Sequence, residues 1–539
     1  MTSSAPIESP ESRPTSSAAS AWSPLQNALF RSLWIATIVS NVGGWMQDVG
    51  AGWLMTELSS SPSMVALIEA ADSIPMMLLA LPAGALADIV DRRRLLIAIQ
   101  VYLMLVAGAL GVLTLLNLTT AWLLLGFTFA LGVGAALMMP AWSAIVPDLV
   151  PPNELPAAVA LNSVAINASR AIGPAIAGVL VAAVGPWLVF VLDALSYIGI
   201  LAALVRWRRE HRKSTLPAER FLSAIRVGMR FVMHADTLQV VLIRGIAFFV
   251  FASATWALFP LIVRKELGRG PEVYGLLLTC IGVGAVGGAM LLPRVKARVS
   301  RDVLVAGAST LYALAALALA YVQNVALLSV AMLAIGVAWI SILSALQVSA
   351  QMTLPPWVRA RGLAAFVVVL MGGMALGSIL WGQVATLVGI PAALTIAAVG
   401  MVLAIGLTWR FKLGRHQLLD FSPSVMPLPV LAETPEPDVS VLVTIKYRIQ
   451  ADKRGEFVAA MQAVRKMRRR NGAYFWQLFH DSEDPTCFIE TFMDESWMEH
   501  LRQHERASVA DREILNAAKL YLLEGETTHP SHFLADRES

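Results

Sequence analysis

The chain is short of charge and nearly without cysteine. Of its 539 residues 14% are charged and 57% hydrophobic, and the mean hydropathy is +0.66. Soluble domains carry about a quarter charged residues, so this shortage excludes an ordinary soluble protein and makes lipid the expected solvent. The net charge of +4 is small and confined to particular loops, which gives no reason to expect nucleic-acid binding. The two cysteines are Cys280, in an apolar segment, and Cys487, in a polar tail, environments too different for a structural disulfide. Residues 1–24 lack the basic start and short apolar core of a signal peptide. Rich in Ser, Pro, Thr and Ala, residues 1–26 are expected to form a disordered cytosolic tail, leaving the first apolar run in place as a helix.

Long apolar runs are what the chain has instead. A hydrocarbon core takes about 20 apolar residues per helical crossing. Candidates lie near 33–57, 63–88, 94–117, 121–146, 156–184, 187–206, 238–263, 272–293, 302–322, 325–353, 361–388 and 391–411, twelve crossings in all. Basic residues gather in the loop with Arg92, Arg93 and Arg94, in the stretch from Arg206 to Arg230, and at Arg294, Lys296, Arg298, Arg301, Arg359 and Arg361. The opposite loops are nearly bare apart from Arg264, Lys265 and Arg269, so both termini are expected in the cytosol. The loop at 147–156, with Asp148 and Glu154, adds nothing to this orientation, because acids weigh little in it.

The sequence repeats itself. A gap-free offset of 204 places Gly84 on Gly288, Arg94 on Arg298, Gly132 on Gly336, Pro151 and Pro152 on Pro355 and Pro356, Gly173 on Gly377, Gly178 on Gly382 and Gly185 on Gly389. Each repeat carries six crossings, an even number, so the halves share one orientation about an axis along the membrane normal. The expected organisation is an N-terminal half at 27–206, a basic cytosolic linker at 207–236 that is amphipathic around Phe221–Val232, and a C-terminal half at 237–415.

At the cytosolic end of the second crossing, Gly84 and Asp88 precede the cluster Arg92, Arg93 and Arg94. This run resembles the loop 2–3 signature of the major facilitator superfamily. The resemblance implies a gate in which Gly84 allows close helix approach and Asp88 meets an arginine or a helix N-terminus across the contact between halves, with Arg92 and Arg93 beside it. Ile89 stands where that signature has arginine and Asp91 where it has glycine, and the repeat position of Asp88 is Leu292. In the fifth crossing, Asn167 to Gly178, with Arg170, Gly173, Pro174 and Gly178, resembles the helix 5 motif of the exporter branch, which implies outward transport. Close packing of small residues, with a bend at Pro174, accounts for the same residues equally well.

Ionisable residues inside lipid are costly and carry functional weight. Candidates are Asp48, Glu69, Asp72, Arg170, Asp193 and Arg244. Glu69 and Arg244 fall within about 10 Å of a helix end, where they can be solvated or snorkel, and are set aside. Asp48 and Asp72 lie about 13 Å below the outer ends of their helices, with Arg170 one to two turns deeper. A coupling or substrate site at Asp48, Asp72, Arg170 and Asp193 is one reading; a structural salt bridge is the other. Trp45, Trp53, Trp142, Trp256, Met138 and Met139 are candidates to line an adaptable pocket, although packing is their commoner role.

Past Arg415 the composition changes. Residues 416–438 read as a linker, and 439–535 as a small α+β domain: strand 439–449, helix 452–470 stopped at Asn471 and Gly472, strands 473–480 and 486–493, helix 494–518 and a last strand near 520–526. That order is ferredoxin-like. His500 and His504 share a helix face at metal-ligand spacing, but no third ligand or HExxH is evident, so a solvated face without metal is expected. The tail is similar to the antibiotic-biosynthesis-monooxygenase-like domains, which implies self-association through the sheet. No motif for oxygenase chemistry stands out, and Tyr474, Trp476 and His480 are as well explained by packing.

Together the two parts, over residues 27–535, resemble the bacterial exporters called transmembrane secretion effectors, in the siderophore and drug exporter branch. The resemblance implies a secondary transporter in the inner membrane, exporting a small organic molecule by alternating access with protons as the coupling ion and no cofactor. No nucleotide-binding loop is present to make it a primary pump. A membrane-tethered cofactor-free oxygenase and a transporter-like sensor are the rival readings; paired six-helix halves argue against the first, since an anchor needs no repeat.

Overall fold

The structure, a computed structural model, describes residues 22–143, 145, 149–151, 153–207, 221–355, 357–413, 420, 422, 424 and 439–536; of residues 85, 87–89, 221–225 and 227 it describes the backbone alone. Long helices fill the first four fifths. They are α1 (Ala28–Leu58), α2 (Pro62–Ile89), α3 (Arg92–Leu115), α4 (Ala121–Ser143), α5 (Leu155–Ala183), α6 (Pro186–Arg206), α7 (Phe221–His234), α8 (Asp236–Leu261), α9 (Pro271–Lys296), α10 (Arg301–Tyr321), α11 (Val325–Met352), α12 (Arg359–Val388) and α13 (Ile390–Thr408). Their starts follow capping rules. Asn27 accepts from Leu29 N and Phe30 N, Asp91 from Arg94 N, Ser300 from Val303 N and Asn324 from Ala326 N, while Pro62, Pro186 and Pro271 sit in the first helical turn.

Among the described residues eleven helices are long and apolar enough to cross a membrane. The expectation was twelve, and α1 is the one outside that count. Ser32, Asn41, Gln47, Asp48 and Glu57 dilute its apolar character, yet it packs along α5 and α6 inside the bundle.

The repeat is visible in the packing. Contact between halves runs through α2 with α12 and α5 with α9, and under the 204-residue offset α2 corresponds to α9 and α5 to α12. Equivalent glycines do equivalent work. A Cβ on Gly173 would stand 2.6 Å from Trp45 Cβ in α1, and one on Gly377 2.6 Å from Val250 O in α8. A Cβ on Gly178 would stand 2.7 Å from Pro271 O in α9, and one on Gly382 2.6 Å from Ala66 Cβ in α2. Gly185 and Gly389 both take positive φ, 110° and 86°, in the turns that lead into α6 and α13, a conformation that favours glycine.

The tail is one antiparallel sheet with helices on one face. Its strands β1 (Val441–Arg448), β2 (Phe475–His480), β3 (Cys487–Asp494) and β4 (Pro530–Leu534) stand in the order β2-β3-β1-β4. Helix α14 (Arg454–Asn471) follows β1 and ends at Gly472, φ 133°; α15 (Trp497–Arg506) and α16 (Val509–Lys519) lie between β3 and β4. Two expectations are corrected. The single helix at 494–518 is broken at Ala507 and Ser508, where Ser508 forms a capping box with Asp511. The last strand is Pro530–Leu534 and not 520–526, where only Leu522 bridges to Ile449. Val441, Val443, Ile445 and Tyr447 point into a core with Phe457, Met461, Val464 and Phe492, and the fully buried Glu490 is paired with Arg468 (3.1 Å), Tyr447 (2.7 Å) and Trp476 (2.9 Å).

The amphipathic helix α7 joins tail to bundle. Phe231 packs edge-on against Trp357 on the C-terminal half, while Arg226 and Arg230 form ion pairs with Glu495 of the tail at 3.0 and 2.5 Å. Arg230 also donates to Gly472 O (2.9 Å), Lys466 meets Asp236 (2.7 Å), and Arg506 lies over the Trp357 ring.

Candidate functional site

A cavity of about 220 Å³ lies between the halves. The N-terminal half lends it charge: Asp48 from α1, Glu69, Asp72 and Ser73 from α2, Thr128 from α4 and Arg170 from α5. The C-terminal half lends it an apolar wall: Trp256 and Phe259 from α8, Tyr274 and Leu278 from α9, Trp339 from α11, and Leu370, Met371 and Met374 from α12. Asp48 and Asp72 are exposed into this space. The Arg170 guanidinium lies 5.4 Å from the Trp45 ring centre, and neither its Nε nor Thr128 Oγ1 has a hydrogen-bond partner among the described residues. Buried polar atoms left unpaired inside a cavity are groups that a ligand or water can satisfy.

The structure therefore brings Asp48, Asp72 and Arg170 to one space and leaves Asp193 out of it. Asp193 is fully buried in α6, accepts from Tyr197 (3.2 Å), and stands against α1 where Gly43 has no side chain. Glu69, set aside on helix depth, belongs to the cavity. Its signal was the spacing to Asp72, three residues on and hence on the same helix face. Arg244, also set aside, forms a buried 3.0 Å ion pair with Asp302 and donates to Phe411 O, an arrangement away from the cavity. Of the aromatic and methionine candidates, Trp45 and Trp256 line the cavity. Trp53 donates to Glu57 (3.0 Å), Met138 accepts from Gln100 (3.1 Å), Trp142 packs in a separate cluster and Met139 is exposed.

One end of the cavity is tied shut between halves. Arg264 donates to Thr56 (3.0 Å) and lies over the Trp53 ring, Lys265 donates to Ser60 O (2.6 Å), and Ser63 bonds Thr386 (2.7 Å). Two of the three cations that depart from the charge pattern are thus held by the other half. Both sit in a π-helical turn, Ile262–Glu266, that continues α8 after Pro260.

The motif after the second crossing looks different from its expectation. Gly84 has open space where a Cβ would be, so in this conformation it permits no close approach. Arg93 donates to Leu204 O (2.8 Å) and Val205 O (2.7 Å), capping the end of α6 within its own half, and Asp91 caps α3. Arg92 is half-buried, and the side chain of Asp88 lies outside the described residues. In α5, Gly173 takes α1 and Gly178 takes α9, with Gly275 packed on Pro174 O; a Cβ on Gly282 would stand 2.7 Å from Arg170 O.

The tail has a cavity of its own, about 290 Å³, lined by His500, His504 and His532. The expected solvated histidine face is corrected here, since His500 is 1% exposed and bonded to Asp494 (2.8 Å).

The family described as transmembrane secretion effector matches residues 19–539. The staphyloferrin A transporter of Staphylococcus aureus is 26% identical over 257 residues, 47% of this chain and 64% of that one. The macrolide efflux protein A of Streptococcus pyogenes is 21% identical over 265 residues, 49% of this chain and 65% of that one. The chain thus spans just under two thirds of the length of these curated relatives. A crystal structure of a bacterial homologue of the human lysosomal transporter Spinster, in an inward-facing and unoccupied conformation, superposes with a TM-score of 0.56 at 15% identity, over 72% of this chain and 98% of that one.

Proposed function

The chain belongs to the transmembrane secretion effector family of major facilitator transporters, and on that premise we propose that it is a secondary transporter exporting a small organic molecule by alternating access. The central cavity carries this reading: it is shared by the halves, charged on one wall and aromatic on the other. The aromatic and methionine wall suits a bulky apolar body without demanding one shape. Three carboxylates against one guanidinium leave an excess of acid, which either protons or a cationic group on the substrate can discharge. Competition between the two is what proton-driven antiport needs. Asp48 and Asp72 are the proposed proton carriers, Glu69 joins them, and Arg170 is the proposed fixed cation of the same cavity.

The finer architecture belongs to the same proposal. Helix α1, 31 residues long, serves as the twelfth crossing. The positive-inside pattern puts both termini and the tail in the cytosol of a bacterial inner-membrane protein, which makes the tied end of the cavity the outer one and the conformation inward-facing. At the inner end, Asp88 and Arg92 are the proposed gate. The sheet order supports a ferredoxin-like tail, related to the antibiotic-biosynthesis-monooxygenase-like domains. The sheet face without helices exposes Phe475, Phe479, Ile489 and Phe533, which supports self-association by packing against a second copy.

Accumulation of antibiotics and siderophores in a deletion strain identifies the cargo. In inverted vesicles with an imposed pH gradient, Asp48→Asn or Asp72→Asn should then abolish uphill transport while downhill exchange persists. Full gradient-driven transport in both variants overturns the coupling site.

A further inference from the structure

We infer that the tail holds a divalent transition-metal ion between His500, His504 and His532. The ligand atoms of the three imidazoles all lie within 4.8 Å of one another, and His500 Nε2 and His504 Nε2 are 3.2 Å apart. Two nitrogens on a tetrahedral zinc at about 2.0–2.1 Å stand roughly 3.3 Å apart, so this pair is already at bonding separation, and His532 closes by a rotamer adjustment. The two helical histidines are i and i+4 on α15, whereas His532 comes from β4 across the sheet. Its distance in sequence hid the third ligand.

The hydrogen bonding of His500 suits a metal ligand. Asp494, itself buried, stands 2.8 Å from His500 Nδ1 and orients the ring so that Nε2 faces His504. A carboxylate behind a ligating histidine is the common support of zinc sites. Glu499, on the same helix, is engaged elsewhere, pairing with Arg502 (2.7 Å) and Arg506 (3.0 Å). Three imidazole ligands select zinc, copper, nickel or iron over magnesium and calcium, which prefer oxygen. The three histidines line the 290 Å³ cavity together with Arg512 and Lys519, so a fourth ligand would be water or an anionic oxygen donor. Glu495, the residue after the end of β3 at Asp494, holds α7, which places Asp494 one residue from the contact with the bundle.

The test uses the full chain in detergent, made without a polyhistidine tag and stripped with a chelator, titrated with Co²⁺ as the probe. One equivalent with the intense visible d–d band of a tetrahedral nitrogen site, displaced by Zn²⁺, is expected. His532→Asn should lose the band with the circular dichroism spectrum intact, and Asp494→Asn should bind about 10–100-fold more weakly. A folded wild type that shows no such band overturns the site and leaves a hydrogen-bonded histidine cluster. An unchanged band in His532→Asn overturns the ligand set. Should His532→Asn fail to fold, the wild-type titration and Asp494→Asn decide alone.

Discussion

At the scale of single residues, the positions easiest to read from sequence were the costly ones. Asp48, Asp72 and Arg170 stood out because lipid does not tolerate idle charge, and they share the cavity. Depth along one helix says nothing about where a cavity opens, which is why Glu69 was discounted and Asp193, deep in α6, was included. Arg264 and Lys265 show the reverse error. Named only as an exception to a charge pattern, they bridge the halves at Thr56 and Ser60 O. Replacing both by Ala removes two charge-assisted hydrogen bonds, each of about 1.5–3 kcal/mol when well made and less where water competes. The tied end should then open more often. Labelling of a Val65→Cys variant, at a buried position on the cavity wall, with a membrane-impermeant maleimide from the side proposed as outer should rise several-fold in the double variant; unchanged labelling means that the remaining contacts hold that end.

At the scale of elements, glycine positions and the repeat were legible together, because a close helix crossing leaves a periodic mark. Their partners were not, since sequence alone does not say which helix a small face meets. In the structure Gly178 and Gly275 lie against each other across the halves, and a Cβ on Gly275 meets Pro174 O and Gly178 Cα. Gly275→Leu has nowhere to put its side chain without separating α5 from α9. A loss of about 1–3 kcal/mol is expected, seen as a lower melting temperature in detergent, and substitution at Gly84, where space is open, should cost far less. Equal effects at the two positions contradict this packing. In the tail, alternation marked the strands, but the break at Ser508 and the shift of β4 to Pro530–Leu534 depended on a capping box and on pairing with β1. The open face of that sheet gives a second expectation. Ile489→Arg should shift the full chain in nanodiscs from dimer to monomer by light scattering, and a wild type that is monomeric throughout removes the self-association reading.

At the scale of the whole molecule, helix α7 of the linker touches both parts. Sequence marked 221–232 as amphipathic, but not that its polar side would be claimed by the tail. Glu495 meets two arginines of α7 while Phe231 of the same helix packs on Trp357, just before α12, so tail, α7 and the start of α12 form one chain of contacts. Burial pushes the Glu495 carboxyl up, but the hydrogen bonds and charges of Arg226 and Arg230 outweigh it and hold it below its ordinary value of 4.5. A carboxyl lowered in the docked state contributes attachment that is fully present above its free value and is lost as pH falls through the lowered one. Docking should therefore be constant across neutral pH and weaken only in acid below about 4.5. Glu495→Gln should mimic the acid state at pH 7. Hydrogen exchange, corrected for intrinsic rates, should show faster exchange in both α7 and the 494–500 segment of that variant, with the helices around the central cavity unchanged. Protection that is identical in wild type and variant at pH 7 means that the ion pair does not hold the tail, and leaves Arg506 on Trp357 and Lys466 on Asp236 as the contacts that do.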